Sequence, residues 1–146
     1  MQCEYICSCP LWRNESPRLD CIFVTTNPEL VGMQGLDVVQ FLTFFPFSFR
    51  RKKYPCAIVH WFTHSEDPDP NTRMWISWCS SSRIHCILSP DISILHINMI
   101  YCAAHLIPVY GTRFIPTRIQ PHQPYHIFHA FYVNKFADHH TFEITS

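Results

Sequence analysis

The stretch from Val38 to Phe62, VVQFLTFFPFSFRRKKYPCAIVHWF, carries the strongest structural signal in the sequence. Two apolar and aromatic runs, Val38 to Phe49 and Tyr54 to Phe62, flank the four cations Arg50 to Lys53. Burying four consecutive charges is costly, so these residues predict a solvated turn. Two strands around a short polar turn form a β-hairpin. We expect this hairpin, from Phe41 to Phe62, to be the nucleus of the fold.

The second strand of the hairpin alternates between two faces, because successive side chains of a strand point in opposite directions. One face carries Cys56, Ile58, His60 and Phe62, and the other carries Ala57, Val59 and Trp61. Both sets are largely apolar, which predicts a strand that is covered on both sides. Pro46 in the first strand cannot donate to a ladder and predicts a bulge or a sheet edge.

Short β-branched and aromatic segments continue on both sides of the hairpin and are typical of strands. The predicted strands are Leu19 to Thr26, Met74 to Trp78, Arg83 to Leu88, Ile94 to Ile97 and His105 to Tyr110. Loops are predicted where Pro, Gly and acidic residues gather, at Asn27 to Gly35, Thr63 to Thr72 and Arg113 to Pro124.

Helix is predicted in two places. Asn98 to Ala104 could form one or two helical turns, and Ile127 to Ala137 has apolar residues near the helical spacing. The sequence thus predicts a mainly β (α+β) fold, a small partly open β-barrel or sheet with a short C-terminal helix. We expect an irregular leader over residues 1–17 and a single β-rich domain over 18–146 that ends in a helix near 127–138.

The composition limits the class of protein. The 146 residues fit one domain, and 12 Pro with 3 Gly and few charges argue against long helices. The formal net charge is zero, so the chain lacks the general basic field of most nucleic-acid domains. Eight Cys without a secretory signal predict free thiols and an intracellular protein. The apolar stretch Ile92 to Tyr110 is interrupted by His and Asn, so no membrane span is predicted.

No residue pattern predicts catalysis. Cys56 and His60 are four apart on one predicted strand, roughly 13 Å between Cα atoms, which is too far for a nucleophile and its base. Asp67 and Asp69 alternate in a Pro-rich loop and are expected to be solvated acids rather than a metal-binding pair. The glycine-rich phosphate loops, the serine hydrolase motif and the zinc protease motif are all missing from the sequence. We therefore predict no enzyme, no cofactor and no small-molecule substrate.

Two clusters could hold a metal ion. Cys7, Cys9 and Cys21 lack the paired spacing of zinc knuckles. The second cluster comprises His126, His129, Asp138, His139 and His140. Adjacent His residues on a helix diverge by about 100°, so a polar helix end is the favoured interpretation. No metal site is predicted, but a small metal-binding protein stays as an alternative function.

The candidate binding residues are Arg50, Arg51, Lys52 and Lys53 at the hairpin tip. They could contact phosphate groups, and the nearby Phe47, Phe49 and Tyr54 would suit stacking on bases. Any exposed hairpin turn tolerates the same residues. A nucleic-acid or chromatin-binding module is accordingly a second alternative function.

Six strings occur in a fixed order along the chain. They are YICSCPLWRNESPRLDCIFV (5–24), GLDVVQFLTFF (35–45), YPCAIVHWF (54–62), DPDPNTRMW (67–75), AAHLIPVYG (103–111) and AFYVNKFADHHTFEI (130–144). As a set they resemble the C-terminal region of Plavaka-type transposon proteins of basidiomycete fungi, which are related to CACTA-like DDE transposases. The similarity covers most of the chain, roughly Cys3 to Ile144.

The resemblance implies a non-catalytic C-terminal accessory domain, present as a truncated remnant of a transposase-like protein. In that family the DDE ribonuclease-H-like core lies upstream, and none of its catalytic carboxylates has a counterpart here. The implied partners are DNA or other transposase or chromatin proteins, and a nuclear location is compatible with them.

The chain also departs from the family pattern. Arg73 stands where the family tends to have Gly before Met-Trp, Pro46 interrupts a strand, and the segment Ile76 to Ser93 departs from the usual pattern. Such changes fit a decaying copy of the element.

Overall fold

The computed structural model describes residues 5–12, 16–79, 91–112, 114–115, 117–119 and 124–146, with the backbone alone at residues 12, 16, 79 and 126. Within these residues the chain is mainly β, as predicted. The strands are β1 Ser8–Trp12, β2 Ser16–Leu19, β3 Cys21–Thr25, β4 Leu36–Phe49, β5 Lys52–His64, β6 Ile76–Cys79, β7 Ile92–His96, β8 Ile100–Ala104, β9 Leu106–Pro108 and β10 Ala130–Val133. The helices are α1 Pro124–Ile127 and α2 His139–Thr145, and single 3₁₀ turns cover Gly32–Gln34 and Ile97–Met99.

The main sheet of the described chain is antiparallel and curls into a nearly closed barrel. Its strand order is β8-β3-β4-β5-β6-β10-β9, with β7 as an additional partner of β5. The two edge strands, β8 and β9, are separated in the chain by His105 alone. The carbonyl of His105 accepts a hydrogen bond from the N–H of Asn134, 2.8 Å away, which ties this joint to the end of β10. Strands β1 and β2 form a separate hairpin.

Strand β5 organises the barrel because it has two partners along one of its edges. Residues 56–60 pair with β7, and residues 62–64 pair with β6. The other edge of β5 pairs with β4 along its length. Trp61 donates a hydrogen bond from its indole Nε1 to the hydroxyl of Ser93, which fixes β7 on β5.

Apolar side chains fill both faces of the sheet. The interior cluster draws on strands all round the barrel and comprises Cys21, Phe23, Met33, Leu36, Val38, Phe62, Cys102, Ala104, Phe131 and Val133. The outer cluster lies on the opposite face and comprises Ile22, Val24, Val39, Phe41, Ala57, Val59 and Leu95. Phe62 belongs to the first cluster and Ala57 and Val59 to the second, so the predicted alternation of β5 and its two-sided cover are confirmed.

The short C-terminal helix exists, but its predicted place near 127–138 is wrong. Residues 130–133 form β10, which pairs with both β6 and β9. The helix begins only after Asp138, whose side chain accepts a hydrogen bond from the N–H of Thr141. The segment Ala130 to Val133 satisfies an alternating pattern as well as a helical one, and pairing on both edges decides for the strand.

Two further segments differ from their predictions. The leader is not irregular throughout, since it contains β1 and the start of β2, and Ile6 packs against the outer cluster. In the segment Asn98 to Ala104, only Asn98 and Met99 lie in a helical turn, of the 3₁₀ type, and the rest forms strand β8, which pairs with β3. Its Cys102 and Ala104 are buried while Tyr101 is exposed, which is the alternation of a strand.

Four other predicted strands are confirmed in place, within a few residues, as β3, β6, β7 and β9. The strand predicted at Arg83 to Leu88 lies outside the described residues.

Candidate nucleic-acid interface

The hairpin β4–β5 changes character along its length at a β-bulge. The pairing runs from Val39 opposite Trp61 to Phe49 opposite Lys52, and its register shifts between Phe41 and Thr43. The bulge adds one residue to β4 and bends it. At this point the hydroxyl of Ser8 donates to the carbonyl of Leu42, so the β1–β2 hairpin covers the bulge.

Beyond the bulge the hairpin continues as a two-stranded ribbon, defined here as residues 43–55. Strand β3 pairs with β4 only as far as Gln40, and β7 pairs with β5 only from Cys56. Among the described residues the ribbon therefore has no third strand, and Pro46 lies at a sheet edge, one of the two positions predicted for it. Phe41 at the root is fully buried, whereas Phe44, Phe47 and Phe49 are 50%, 50% and 51% exposed.

The turn at the tip of the ribbon contains two residues rather than the predicted four. Arg50 and Arg51 form it, and Lys52 and Lys53 already belong to β5. Both turn residues have positive φ, 48° and 64°, as in a type I′ hairpin turn. Such turns favour Asn-Gly, because each L-residue with a larger side chain costs about 1–2 kcal/mol in the left-handed region.

The four tip cations, Arg50 to Lys53, are exposed and uncompensated. No acidic residue occurs between Asp37 and Glu66, and no recorded ion pair of the described residues involves any of the four. Four of the eleven Lys and Arg lie here, so seven remain against eleven Asp and Glu, a formal charge of −4 for the rest of the chain. A neutral protein thus has a strongly polarised charge distribution with its positive end on the ribbon.

The ribbon has one face rich in aromatic rings. The register places Phe45, Phe47, Phe49, Lys52 and Tyr54 on this aromatic face. The rings of Phe47 and Tyr54 lie opposite each other, with centroids 6.2 Å apart. Two cations lie over rings: the Arg50 guanidinium is 5.1 Å from the Phe49 centroid, and the Lys52 ammonium is 5.3 Å from that of Tyr54. The aromatic face of the ribbon therefore carries positive charges directly beside its aromatic rings.

The opposite face of the ribbon is different. It carries Phe44, Pro46, Ser48, Lys53 and Pro55. The ring of Phe44 packs on that of buried Phe41, with centroids 4.0 Å apart, which anchors the root of the ribbon to the outer cluster.

Of the two loop carboxylates, Asp67 and Asp69, the second makes hydrogen bonds within its own loop. One oxygen of Asp69 accepts hydrogen bonds from the N–H groups of Asn71 and Thr72 at 3.2 and 2.8 Å, and from the Thr72 hydroxyl at 2.9 Å. These bonds, led by that of the Thr72 backbone, hold the pKa of Asp69 below its usual value. Asp69 thus organises its own loop.

Cys56 and His60 lie four residues apart on the extended strand β5, as predicted, and both are buried. Burial lowers the pKa of His60. The thiol of Cys21 is 3.4 Å from the hydroxyl of Tyr125 inside the barrel, where burial raises the pKa of that hydroxyl.

Three members of the predicted C-terminal cluster, Asp138, His139 and His140, have separate contacts, and the side chain of His126 lies outside the described residues. Asp138 caps α2, His139 lies 3.4 Å from Glu143, and His140 stacks on Tyr101 with ring centroids 5.4 Å apart. In the part of the chain that the structure describes, no three Cys, His, Asp or Glu side chains converge as metal ligands.

One polar pair was not anticipated from the sequence. His64 at the end of β5 lies with its Nδ1 3.0 Å from Oδ1 of Asp37 at the start of β4. The hydrogen bond raises the pKa of His64 and lowers that of Asp37. Asp37 and His64 lie at the same end of the two strands, but the register after the bulge, with Val39 opposite Trp61, leads to Thr63 rather than His64 as the residue opposite Asp37, so the sequence carried no signal for this pair.

Comparisons of the chain with protein-family models, curated proteins and solved structures give no match. No helix of the described residues is both long enough and apolar enough to cross a membrane.

Proposed function

We propose that this chain is a non-catalytic accessory domain that binds nucleic acid through the ribbon. The observation that carries the proposal is the set of four uncompensated cations at the tip of an exposed aromatic ribbon. A phosphate backbone attracts such a tip, and exposed rings beside the charges offer a surface for bases.

The charge distribution supports a polyanionic partner. The tip is the positive end of a chain whose remaining residues have a formal charge of −4. Such a molecule is oriented by the field of a nucleic acid, with the ribbon forward. If all four cations contact phosphate, the logarithm of the binding constant should fall with the logarithm of salt concentration with a slope of about −3 to −4.

The resemblance adds the biological setting to the proposal: a C-terminal accessory domain of a transposase-like protein. The strings that carry the resemblance correspond to successive parts of one barrel, with 35–45 in β4, 54–62 in β5, 103–111 across β8 and β9, and 130–144 across β10 and α2. Arg73 has φ of 56°, a conformation that favours glycine, and glycine is what the family tends to have there. The φ of Arg73 is thus compatible with the resemblance.

Fluorescence anisotropy with labelled DNA at about 50 and 200 mM salt tests the binding. The double variant Arg50→Glu with Lys52→Glu should bind at least tenfold more weakly and lower the salt slope by about 2. The matched control is Arg118→Glu with Lys135→Glu, which makes the same charge change outside the ribbon. Absence of binding at low salt removes the proposal, and equal weakening by both double variants removes the ribbon as the site.

A separate assay tests the non-catalytic part. The purified chain should neither cleave nor join DNA strands in the presence of Mg²⁺. A Mg²⁺-dependent activity that Asp67→Ala abolishes would contradict this part and leave the binding proposal standing.

A further inference from the structure

We infer that the aromatic face of the ribbon binds a single strand of nucleic acid, with unpaired bases stacked on Phe47 and Phe49. This inference rests on the proposed function and specifies the class of nucleic acid. Three features carry it: the exposure of the rings, their spacing, and the scarcity of polar side chains that could contact a groove.

Both rings keep exposed surface, with the Arg50 guanidinium over one face of Phe49. Phe47 and Phe49 are each about half exposed, and both lie on the same face because they are two residues apart on a strand. Every base has a π-face, so stacking on a phenylalanine needs no particular sequence. Half-exposed phenylalanines at the end of a ribbon are otherwise unfavourable in water, since they add apolar surface without a core to cover it.

The spacing of the rings favours an unpaired strand. Two residues of a strand advance the backbone by about 6.8 Å, which is twice the rise of about 3.4 Å between stacked nucleotides of a duplex. Bases that lie on Phe47 and Phe49 therefore cannot be stacked neighbours within a duplex. An unpaired strand can separate its bases to match the rings.

Outside the tip, the ribbon has few side chains that could read a groove, although the tip cations themselves could reach base edges. A duplex groove is read by hydrogen bonds to base edges. Apart from the tip cations and Tyr54, the ribbon has only Thr43 and Ser48 as polar side chains, and Pro46 faces Pro55 across it without backbone donors. Arg50 and Lys52, which lie over the rings of Phe49 and Tyr54, are placed to reach the phosphates that flank a stacked base.

The test compares one labelled DNA strand of about 20 nucleotides, longer than the site of one small domain, with the same strand annealed to its complement. The intact chain should bind the single strand at least tenfold more tightly than the duplex. Phe47→Ala and Phe49→Ala should each weaken single-strand binding by about five- to one-hundred-fold, the loss expected for one base stack. Phe49→Leu keeps the apolar bulk without the ring and should weaken it as well, whereas Phe49→Trp should retain it.

Phe44→Leu is the matched control for Phe49→Leu, because the Phe44 ring is equally exposed but lies on the opposite face, and leucine keeps apolar bulk against Phe41. It should leave binding within about twofold, with circular dichroism to verify that every variant is folded. Equal affinity for duplex and single strand, or equal losses in Phe44→Leu and Phe49→Leu, would overturn the inference while the proposed function stands. A chain that binds neither DNA at low salt would instead remove the proposed function.

Discussion

Arginine occupies every non-glycine position of positive φ among the described residues: Arg50, Arg51 and Arg73. The left-handed region brings Cβ close to the following carbonyl oxygen and costs about 1–2 kcal/mol per residue. Strain of this size persists where something else favours the residue, and it often marks function. Arg50 and Arg51 have such a role in the proposed binding, whereas Arg73 lies in a loop away from the ribbon.

We therefore expect Arg73→Gly to raise the free energy of unfolding by about 0.5–1 kcal/mol, the relief of strain minus the extra freedom that glycine gains when unfolded. The N–H of residue 73 would keep its 2.7 Å hydrogen bond to the carbonyl of Asp69. The midpoint of urea unfolding measures the gain. Arg73→Ala is the control, since it removes the charge but keeps Cβ, and an equal gain in it would show that strain is not the cause.

The pair His64–Asp37 makes a contribution to the free energy of unfolding that depends on pH. Asp37 raises the pKa of His64, so the contribution of His64 is fully present below its ordinary pKa and is lost as pH rises through the raised one. The pKa of Asp37 is lowered, so its contribution is present above the ordinary value and is lost as pH falls through the lowered one. The pair should stabilise most between about pH 4 and pH 6.5.

The expected effect of Asp37→Asn is a loss of about 0.5–1 kcal/mol near pH 6 that shrinks toward pH 9, since both groups are only half-buried and solvent weakens the pair. Urea unfolding at several pH values measures it. The lowered pKa of buried His60 makes the whole protein less stable in acid, which is the opposite pH trend. His60 is present in both proteins, so this trend cancels in the difference between Asp37→Asn and the unmodified chain. Asp20→Asn breaks a pair with Arg18, which stays charged, so its effect should be constant over this range. A loss in Asp37→Asn that does not depend on pH would contradict the role of the pair.

At the scale of elements, the ribbon combines an unfavourable turn sequence with a favourable charge pattern. Replacing Arg50 by Asn and Arg51 by Gly supplies the residues that a type I′ turn prefers. This double variant should gain about 1 kcal/mol in unfolding free energy and should bind nucleic acid more weakly, because two phosphate contacts are lost.

Arg50→Lys with Arg51→Lys separates the two effects. It keeps both charges and both Cβ atoms, so stability should stay the same and binding should be retained. Thermal unfolding and DNA titration of the two double variants are the measurements. If the Asn-Gly variant bound as tightly as the unmodified chain, Arg50 and Arg51 would have no part in recognition.

The hairpin could be predicted from the sequence because two independent signals agree there, alternating apolar residues and a block of cations that must remain in water. The C-terminal segment could not, since AFYV satisfies two periods at once and its neighbours β6 and β9 are far away in sequence. A local signal for the true start of the helix was present in Asp138 and Thr141, the acceptor and donor of the N-cap bond.

At the scale of the whole molecule, the four cations and their aromatic neighbours were predictable as residues, but their projection as a ribbon was not. That projection depends on where β3 and β7 stop pairing with the hairpin, at Gln40 and Cys56. The nearly closed barrel depends likewise on long-range pairing, since β8 lies beside β3 and β10 lies between β6 and β9. These long-range strand pairings are determined by how the side chains of the interior cluster pack together, and local sequence patterns carry no information about that packing.

The interior cluster also gives the sharpest test of the barrel. Phe131 of β10 is 1% exposed and meets Phe62 edge to face at 6.1 Å, whereas Phe136, which also belongs to the segment predicted as a helix, is 67% exposed. Phe131→Ala should cost about 3–5 kcal/mol, because it opens a cavity where β10 closes the barrel between β6 and β9. Phe136→Ala should change the free energy of unfolding by less than about 0.5 kcal/mol.

Urea unfolding followed by far-ultraviolet circular dichroism measures both losses. If Phe131→Ala does not fold, Phe131→Leu leaves a smaller cavity and should give an intermediate loss. Equal losses at positions 131 and 136 would contradict the burial of Phe131 and with it the place of β10 in the barrel.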